Sequence, residues 1–498
     1  MNVQPADAAS PESLPSRRIA RAGERHGPCL HASANMLAAQ LSPTPTRAYA
    51  RRQPEESTFY GVVRDHLPAL LERARDHSEH GFGYPRFVER EFEKFLACGV
   101  LCNGFVRVRC DHCADERLVA LSCKTRGFCP SCTSRRMAGT AAHLVDRVLP
   151  AVPYRQWVLS LPRQVRFLIA RDSDLLTRVL GVFLRKVFAW QRRRARAYGI
   201  DDPQCGAVTF VQRFGSLLNL NCHAHALLPE GVFAADPDGA VSFHPLPPPW
   251  DDDVVRLLDQ IARAIHRLVQ RRRALHADDA PPDLLASEQA EAVASPPFAG
   301  RTAFPRPGHR SAFLDGYSLH ADRLFDGEDR DGLERLCRYG ARSPIANSRL
   351  SRDQTGRVVM ALKRPLRDGR TELAFTPVEF LRRLATLIPP PRSHLTRYHG
   401  VFAPHHALRA GVVPSDSTAS VDVGRRAGPL PRLAWAALMK RVFAIDVLVC
   451  DTCGGAMRIL AVLPDGDAGR AILQHLGLPI EPPDPRALAP PSRWFDGA

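Results

Sequence analysis

Two histidines one residue apart sit inside an apolar, strand-like run, "LLNLNCHAHALLPEGVF" (217–233). On a strand the side-chain period is two, so His223 and His225 point to one face and Ala224 to the other. Two imidazoles on one face of a sheet can grip a single metal ion, or they can be packed core histidines. His320, in the strand-like "GYSLHAD", is a candidate third ligand, and Gln212, on the preceding strand, is a weaker one. A lone histidine in such a place also serves as ordinary structure. The nucleophile candidate is a tyrosine. In "DGLERLCRYGARSPIANSRLS" (331–351) a helix is predicted with Leu333, Leu336, Cys337 and Gly340 on its apolar side. Tyr339 falls off that side, near Arg335 and Arg342 at i−4 and i+3. A tyrosine between guanidiniums is placed to lose its proton and sit against a phosphate; the competing reading is a surface tyrosine packed on an arginine. Metal, phenolate and cations together make phosphoryl-transfer chemistry. For that chemistry the ion is Mg²⁺ or Mn²⁺, since a hard ion suits phosphate oxygens.

The strongest local signal is a cysteine pattern. "CDHC" and "CPSC" place Cys110-x2-Cys113 fifteen residues before Cys129-x2-Cys132, the spacing of a four-thiolate zinc ribbon. Such a closed site is structural. Lys124, Arg126, Arg135 and Arg136 give the ribbon a basic face for a nucleic-acid backbone. Cys98, Cys102 and Cys123 read as packing residues, with a second site involving Cys98 and Cys102 as the alternative. A further knuckle, "CDTCGG" at Cys450 and Cys453, has no partner pair near it. It is either half a zinc site completed by a distant histidine such as His475, or two thiols at a turn.

These residues need elements to hold them. The 498 residues exceed one simple core, which points to several domains. Lys+Arg total 68 against 52 Asp+Glu, a net charge of +16. That balance favours a polyanionic partner, nucleic acid before a membrane surface. No apolar run is long enough for a transmembrane helix, and the N-terminus lacks a signal-peptide core, so a reducing cytoplasmic location is expected. The order of strand, helix and paired strands from "YRQWVLSLP" onward predicts an α+β fold with an antiparallel sheet. The expected organisation is a disordered basic tail (1–57), a helical and zinc-ribbon DNA-binding domain (58–145) and a catalytic domain (154–385). A flexible insertion is expected at 278–310, a small C-terminal region at 393–480 and a disordered tail at 481–498.

The segments "FLACGVLCNGFVRVRCDHC", "GFCPSCTSRRMAGTAAHLVDRVLP", "FGSLLNLNCHAHALLPEGVF", "YSLHAD", "LERLCRYGARSPIANSRLS" and "FTPVEFLRRLATLIPPPRSHLTRYHGVFAPHHALR" carry a resemblance. They are similar to the rolling-circle transposases of the insertion-sequence ninety-one family, two-tyrosine type. The resemblance covers about residues 58 to 480. It implies an N-terminal zinc module and an HUH nuclease domain that nicks one DNA strand, leaving a 5′-phosphotyrosine and a free 3′-hydroxyl. It places the metal histidines at His223 and His225, the nucleophile at Tyr339 and the zinc ligands at Cys110, Cys113, Cys129 and Cys132. Arg335, Arg338 and Arg342 become candidate phosphate contacts. It also implies single-stranded element ends as DNA partner and a bacterial, nucleoid-associated setting. Two-tyrosine members carry tyrosines four residues apart, whereas here that position is Arg335, so the chain resembles a single-tyrosine branch. The alternatives are a rolling-circle replication initiator or relaxase, and a zinc-ribbon DNA-binding protein with a decayed nuclease centre.

Overall fold

The computed structural model describes residues 51–275, 283–293, 304–305, 309–366, 368–414, 435–443 and 446–483. The tails expected at 1–57 and 481–498 lie outside these for 1–50 and 484–498, as does much of 278–310.

Helix α1 (Thr58–Asp76) begins where the Ser57 hydroxyl accepts the Tyr60 N–H at 3.2 Å, an N-cap, and α2 (Arg86–Ala97) comes next. A hairpin of β1 (Gly104–Cys110) and β2 (Glu116–Ala120) leads to α3 (Pro130–Arg147). Phe59, Phe92, Phe95 and Phe128 pack into one aromatic cluster, and Phe59 also meets Phe380 from much later in the chain at 5.9 Å. That contact ties the N-terminal module to the body of the chain beyond residue 150.

The next segment runs β3 (Tyr154–Ser160), α4 (Arg163–Arg171), α5 (Ser173–Ala197), β4 (Gly206–Phe214) and β5 (Leu220–Pro229). A side hairpin, β6 (Gly231–Ala235) with β7 (Val241–Pro245), precedes α6 (Asp251–Leu275) and α7 (Leu284–Ala292). Short strands β8 (Phe304–Pro305), β9 (Ser311–Leu314), β10 (Tyr317–His320) and β11 (Leu324–Phe325) lead into α8 (Arg330–Gly340). A three-stranded sheet of β12 (Leu350–Arg352), β13 (Val358–Ala361) and β14 (Glu372–Phe375) is followed by α9 (Pro377–Leu387) and β15 (Thr396–Gly400). The chain ends in α10 (Arg409–Val412), α11 (Trp435–Phe443), β16 (Met457–Pro464) and α12 (Asp467–His475).

The main sheet has the order β15-β4-β5-β3-β10-β9-β8, with β11 also on β3, and its pairings are antiparallel. The expected α+β class with an antiparallel sheet is what the chain forms. Phe210, His225, Val158 and His320 are successive partners across β4, β5, β3 and β10, as are Gln212, His223, Ser160 and Ser318. Directly paired residues share a face, so these eight point the same way. On the opposite face Trp157 and Leu159 join the large core with α4, α5 and α6, Trp157 meeting Trp190 at 5.9 Å. On the histidine face α3 and α8 cover the apolar end, where Leu144, Val148, Leu333, Leu336 and Cys337 pack on Tyr154, Val208, Phe210 and Leu227.

Two parts of the expected organisation differ. The 393–480 region is not a unit apart: β15 completes the edge of the main sheet on β4, and β16 pairs with β1 from Gly104↔Pro464 to Cys110↔Met457. Within 278–310, α7 is a packed helix. Asp283 caps it, Gln289 Nε2 donates to the Thr386 carbonyl at 3.2 Å, and Glu288 accepts the Tyr84 hydroxyl at 2.6 Å. Its Ala- and Glu-rich composition hid a helix whose few buried residues are spent on tertiary contacts. No helix among the described residues is long and apolar enough to cross a membrane.

This packing has two measurable consequences. A Cβ on Gly340 would lie 2.6 Å from the Phe210 ring, so Gly340→Ala should destabilise the fold by about 1–3 kcal/mol through overpacking, read by denaturant unfolding. Burial pushes the Glu288 carboxyl up to about 7, so the folded chain holds a proton that the unfolded chain has lost. Stability should therefore fall as pH rises from the ordinary glutamate value through about 7, and Glu288→Gln should flatten that segment of the pH–stability curve.

Candidate active site and metal centres

The histidine strand and the tyrosine helix meet. The rings of His223 and His225 are 5.0 Å apart, and the Tyr339 ring stands edge-on to His225 at 5.8 Å. β4 makes this possible. Gln212 Nε2 donates to the carbonyls of Tyr339 and Gly340 at 2.9 and 3.0 Å, fixing the C-terminal end of α8 over the sheet. Gln212 Oε1 accepts from Arg342 Nη2 at 3.4 Å. Gln212 is thus a clamp with both ends of its amide engaged, not a metal ligand.

The imidazoles suit a metal. Burial, before any neighbouring charge, lowers His223 to about 4 and His225 to about 3, so both rings are neutral at physiological pH. His223 Nδ1 lies 2.7 Å from the Asn221 carbonyl and donates to it, which leaves the Nε2 lone pair for an ion. His225 Nδ1 faces the Gln156 amide at 3.4 Å, and its Nε2 is buried with no partner. The Gln156 atom nearest Nδ1 is the amide nitrogen, which donates to the ring; turned end for end, the amide oxygen would accept from Nδ1–H and free the Nε2 lone pair for an ion. A buried imidazole nitrogen with no partner among the described residues, beside a second neutral histidine, is compatible with a divalent ion.

His320 does not join the pair. It lies on the same face and in the same row as His225, but β3 intervenes. Its ring packs on Phe313 at 5.2 Å, and it lines a separate cavity of about 300 Å³ with Gln156, His309 and Asp322. Among the described residues, the groups of three or more His, Cys, Asp or Glu donors within 4.8 Å of one another contain neither His223 nor His225. Gln156 is the polar residue between them that sequence reading missed. Its signal was a lone amide at period two with Val158 and Ser160, visible only once β3 is known to pair with β5.

The arginines divide. Arg342 lies over the Tyr339 ring at 4.6 Å and over Phe214 at 5.1 Å, with its Nε buried and unpartnered. Arg335 instead pairs with Asp329 at 3.6 Å, and Arg338 with Glu334, which also takes Arg441 at 2.6 Å. Of the three expected phosphate contacts on or after α8, only Arg342 lacks a carboxylate among the described residues. Tyr339 is 45% exposed, in keeping with a ring that an incoming strand can reach.

The cysteines assemble differently from the expected ribbon. Cys98, Cys123, Cys129 and Cys132 form one set, and Cys110, Cys113, Cys450 and Cys453 another. In the first, Sγ–Sγ separations are 3.3–3.7 Å among Cys98, Cys123, Cys129 and Cys132. In the second, Cys110 lies 3.4 Å from Cys453 and Cys113 lies 3.7 Å from Cys450. A tetrahedral site with Zn–S of about 2.3 Å has edges of about 3.8 Å, so both sets are close to liganding size. Backbone N–H groups of Lys124, His112 and Gly455 point at Cys132, Cys110 and Cys453, the arrangement that favours thiolate. The backbone N–H groups of Cys113 and His112 hold the Cys110 thiol below its usual value. The single set Cys110, Cys113, Cys129 and Cys132 is not brought together, because β1 separates its halves. Seven residues at about 3.3 Å each span on the order of 20 Å, with Cys110 at the hairpin tip and Cys98 beyond its base. His475 is likewise absent from the second set. Lys124, Arg126 and Arg135 are exposed and Arg136 is half-buried.

Comparison with known proteins finds two family models and a relative. Residues 206–409 match a family described as "Putative transposase", and residues 63–161 match a "Transposase zinc-binding domain". A relative, the transposase for insertion sequence element IS801 of Pseudomonas savastanoi pv. phaseolicola, is 22% identical over 379 residues, covering 74% of this chain and 82% of the relative. No solved structure matches. The zinc-binding match and the thiolate sets together support structural zinc.

Metal analysis of the purified chain should give two zinc ions per molecule. A Cys450→Ser/Cys453→Ser variant should lose the second set's ion and keep the first with a folded main sheet, whereas Cys129→Ser/Cys132→Ser should lose the first set's ion. Unchanged zinc content in the first variant would refute the pairing across the chain.

Proposed function

For a chain that belongs to the IS91 family of insertion-sequence transposases and carries its N-terminal zinc-binding domain, we propose DNA-strand transfer through a single tyrosine. The observation that carries the reading is the edge-on contact of Tyr339 with His225, two groups 114 positions apart in sequence by their numbers. The Tyr339 oxygen attacks a DNA phosphorus, the P–O3′ bond breaks, and the phenolic proton is accounted for on the leaving 3′-hydroxyl. The products are a 5′-phosphotyrosine and a free 3′-end, with the phosphate's energy retained in the ester.

His223 and His225 would hold the catalytic divalent ion, Mg²⁺ or Mn²⁺. When bound, such an ion supplies Lewis-acid polarisation of the scissile phosphate. The chain's own residues do the positioning. Gln212 and Gly340 seat α8, Gln156 and Asn221 orient the imidazoles, and Arg342 offers a cation to charge that develops beside the phenolate. Lys124, Arg126, Arg135 and Arg136 on the zinc module are proposed DNA contacts, with Arg335 and Arg338 in reserve behind their carboxylates. Single-stranded element ends are the proposed substrate, since a flexible backbone must bring its phosphate to Tyr339 beside His225 on an interior strand. With Arg335 at the position four before Tyr339, reversal by the 3′-hydroxyl replaces an exchange between two tyrosines.

Wild type incubated with Mn²⁺ and single-stranded DNA from the element's end should form a covalent adduct stable to denaturing gel electrophoresis. Tyr339→Phe should form none, and His223→Ala should lower the adduct rate by about 10²-fold or more. Equal adducts from wild type and Tyr339→Phe would remove Tyr339 as nucleophile. Tight DNA binding with no adduct from either would favour a binding protein with a decayed centre.

A further inference from the structure

A second hollow lies one residue beyond the tyrosine, where the zinc module meets the main sheet. It has a volume of about 80 Å³, and Gly340 to Pro344 form one wall. Four guanidiniums line it: Arg126 and Arg136 from the zinc module, Arg213 from β4 and Arg342 from the turn after α8. No carboxylate is among the lining residues. Like charges gathered around so small a space repel one another, and an anion seated among them relieves that repulsion.

The four do not play one part. Arg213 is buried and spends its N–H groups on the carbonyls of Leu387, Ala170 and Ile388, so it contributes field rather than free donors. Arg126 and Arg136 are anchored at the walls by bonds to the carbonyls of Ser393 (3.2 Å) and Lys124 (2.9 Å), which hold both guanidiniums at the hollow. Arg342 reaches from this wall to the Tyr339 ring, so one guanidinium borders both the nucleophile and the hollow. Thr133, Arg136 and Thr140 recur at helical spacing on one side of α3, and all three line the space.

We propose that this hollow seats a non-scissile backbone phosphate of the DNA strand, next to the phosphate that Tyr339 attacks. The assignment rests on the strand-transfer reading and adds to it a fixed second point of contact. Two points define the direction of a strand, whereas one leaves it free to pivot. The seat also depends on metal. Cys129 is the residue before α3 and Cys132 lies in its first turn, so the first thiolate set fixes the helix that carries Arg136. Loss of that zinc would then weaken DNA positioning without touching the histidines.

The test uses full-length chain carrying Tyr339→Phe, so that binding is read without cleavage. Single-stranded element-end DNA is prepared with one charge-neutral methylphosphonate walked through the positions flanking the nick, and affinity is measured by fluorescence anisotropy. One non-scissile position should weaken binding about tenfold, in line with loss of a charge-assisted phosphate contact. Arg126→Ala/Arg136→Ala should bind natural DNA about tenfold more weakly and lose sensitivity at that position alone. Equal sensitivity in both proteins at every position overturns the proposal. Zinc content and unfolding of the double variant are measured alongside, and Arg126→Lys/Arg136→Lys should recover part of the affinity. Inorganic phosphate at millimolar concentration is the last arm. If the Arg126/Arg136-dependent position resists phosphate competition, DNA is the occupant; if phosphate binds there while no methylphosphonate position responds, the seat belongs to a free anion and the DNA assignment falls. Absence of a wild-type adduct with Mn²⁺ is a separate failure, of the strand-transfer reading itself.

Discussion

The close approach of the Gly340 backbone to the Phe210 ring is the contact on which the candidate site depends. Phe210 is the β4 partner of His225, and Gln212, two residues on, is the partner of His223. The strand that pairs with the histidine strand therefore also carries the seat for the tyrosine helix. Gly340 sets how near α8 comes, and the two Gln212 N–H bonds set where along β4 it stops. Because these are backbone-level constraints, the Tyr339 side chain is placed beside His225 without being buried. The buried His225 imidazole and the exposed Tyr339 phenol stand 5.8 Å apart because the helix end, rather than the tyrosine's own packing, is held over the strand.

The zinc module extends the same logic by different means. Among the described residues, the buried apolar group around the second thiolate set is Cys110, Cys450 and Met457, with Val108 beside it. So small a cluster contributes little by burial; the β1–β16 pairing joins the two segments, and a zinc ion held by the four thiolates would reinforce it. The consequence is a closed chain: residues near 450 return to residues near 110, and β16 extends the β1–β2 hairpin. The first set works on the opposite end of that hairpin and starts α3, which then covers the sheet alongside α8. Structural metal and candidate active site are thus linked through two packed helices rather than through shared ligands.

What could be read from the sequence was what depends on local periodicity. Period two put His223 and His225 on one face, and the helical wheel of 331–340 put Leu333, Leu336, Cys337 and Gly340 inside and Tyr339 out, as found. What could not be read depended on which distant segments meet. The Cys-x2-Cys pairs at ribbon spacing were genuine knuckles assigned to the wrong partners, since nothing local says that 450–453 will return to 110–113. The tighter run Cys123-x5-Cys129-x2-Cys132 was present in the sequence, and the hairpin length between Cys98 and Cys110 would have argued for it. His320, a candidate third ligand from the sequence, does lie on the histidine face, but sharing a face across three strands is not sharing an ion. Gln156 was invisible until β3 was known to lie between β5 and β10.

Composition proved a poor guide to where positive charge acts. A net charge of +16 suggests a polyanion partner but says nothing of position. The ion-pair pattern does. Arg335 and Arg338, nearest the tyrosine in sequence, are answered by Asp329 and Glu334, and Arg441 draws Glu334 and Asp146 together so that α11 is tied to α3 and α8. Arg342, three residues past the tyrosine and off the helix, has no carboxylate among the described residues and two aromatic rings beside it. A guanidinium stacked on rings keeps its charge and its in-plane donors while losing mobility, which is the state in which a cation can meet a phosphate at little further entropic cost. The same arginine lines the hollow where Arg126 and Arg136 converge. Guanidinium charge is therefore gathered on the side of Tyr339 facing the zinc module, with Arg342 held there by its rings, and a strand bound there would cross both domains before reaching the histidines.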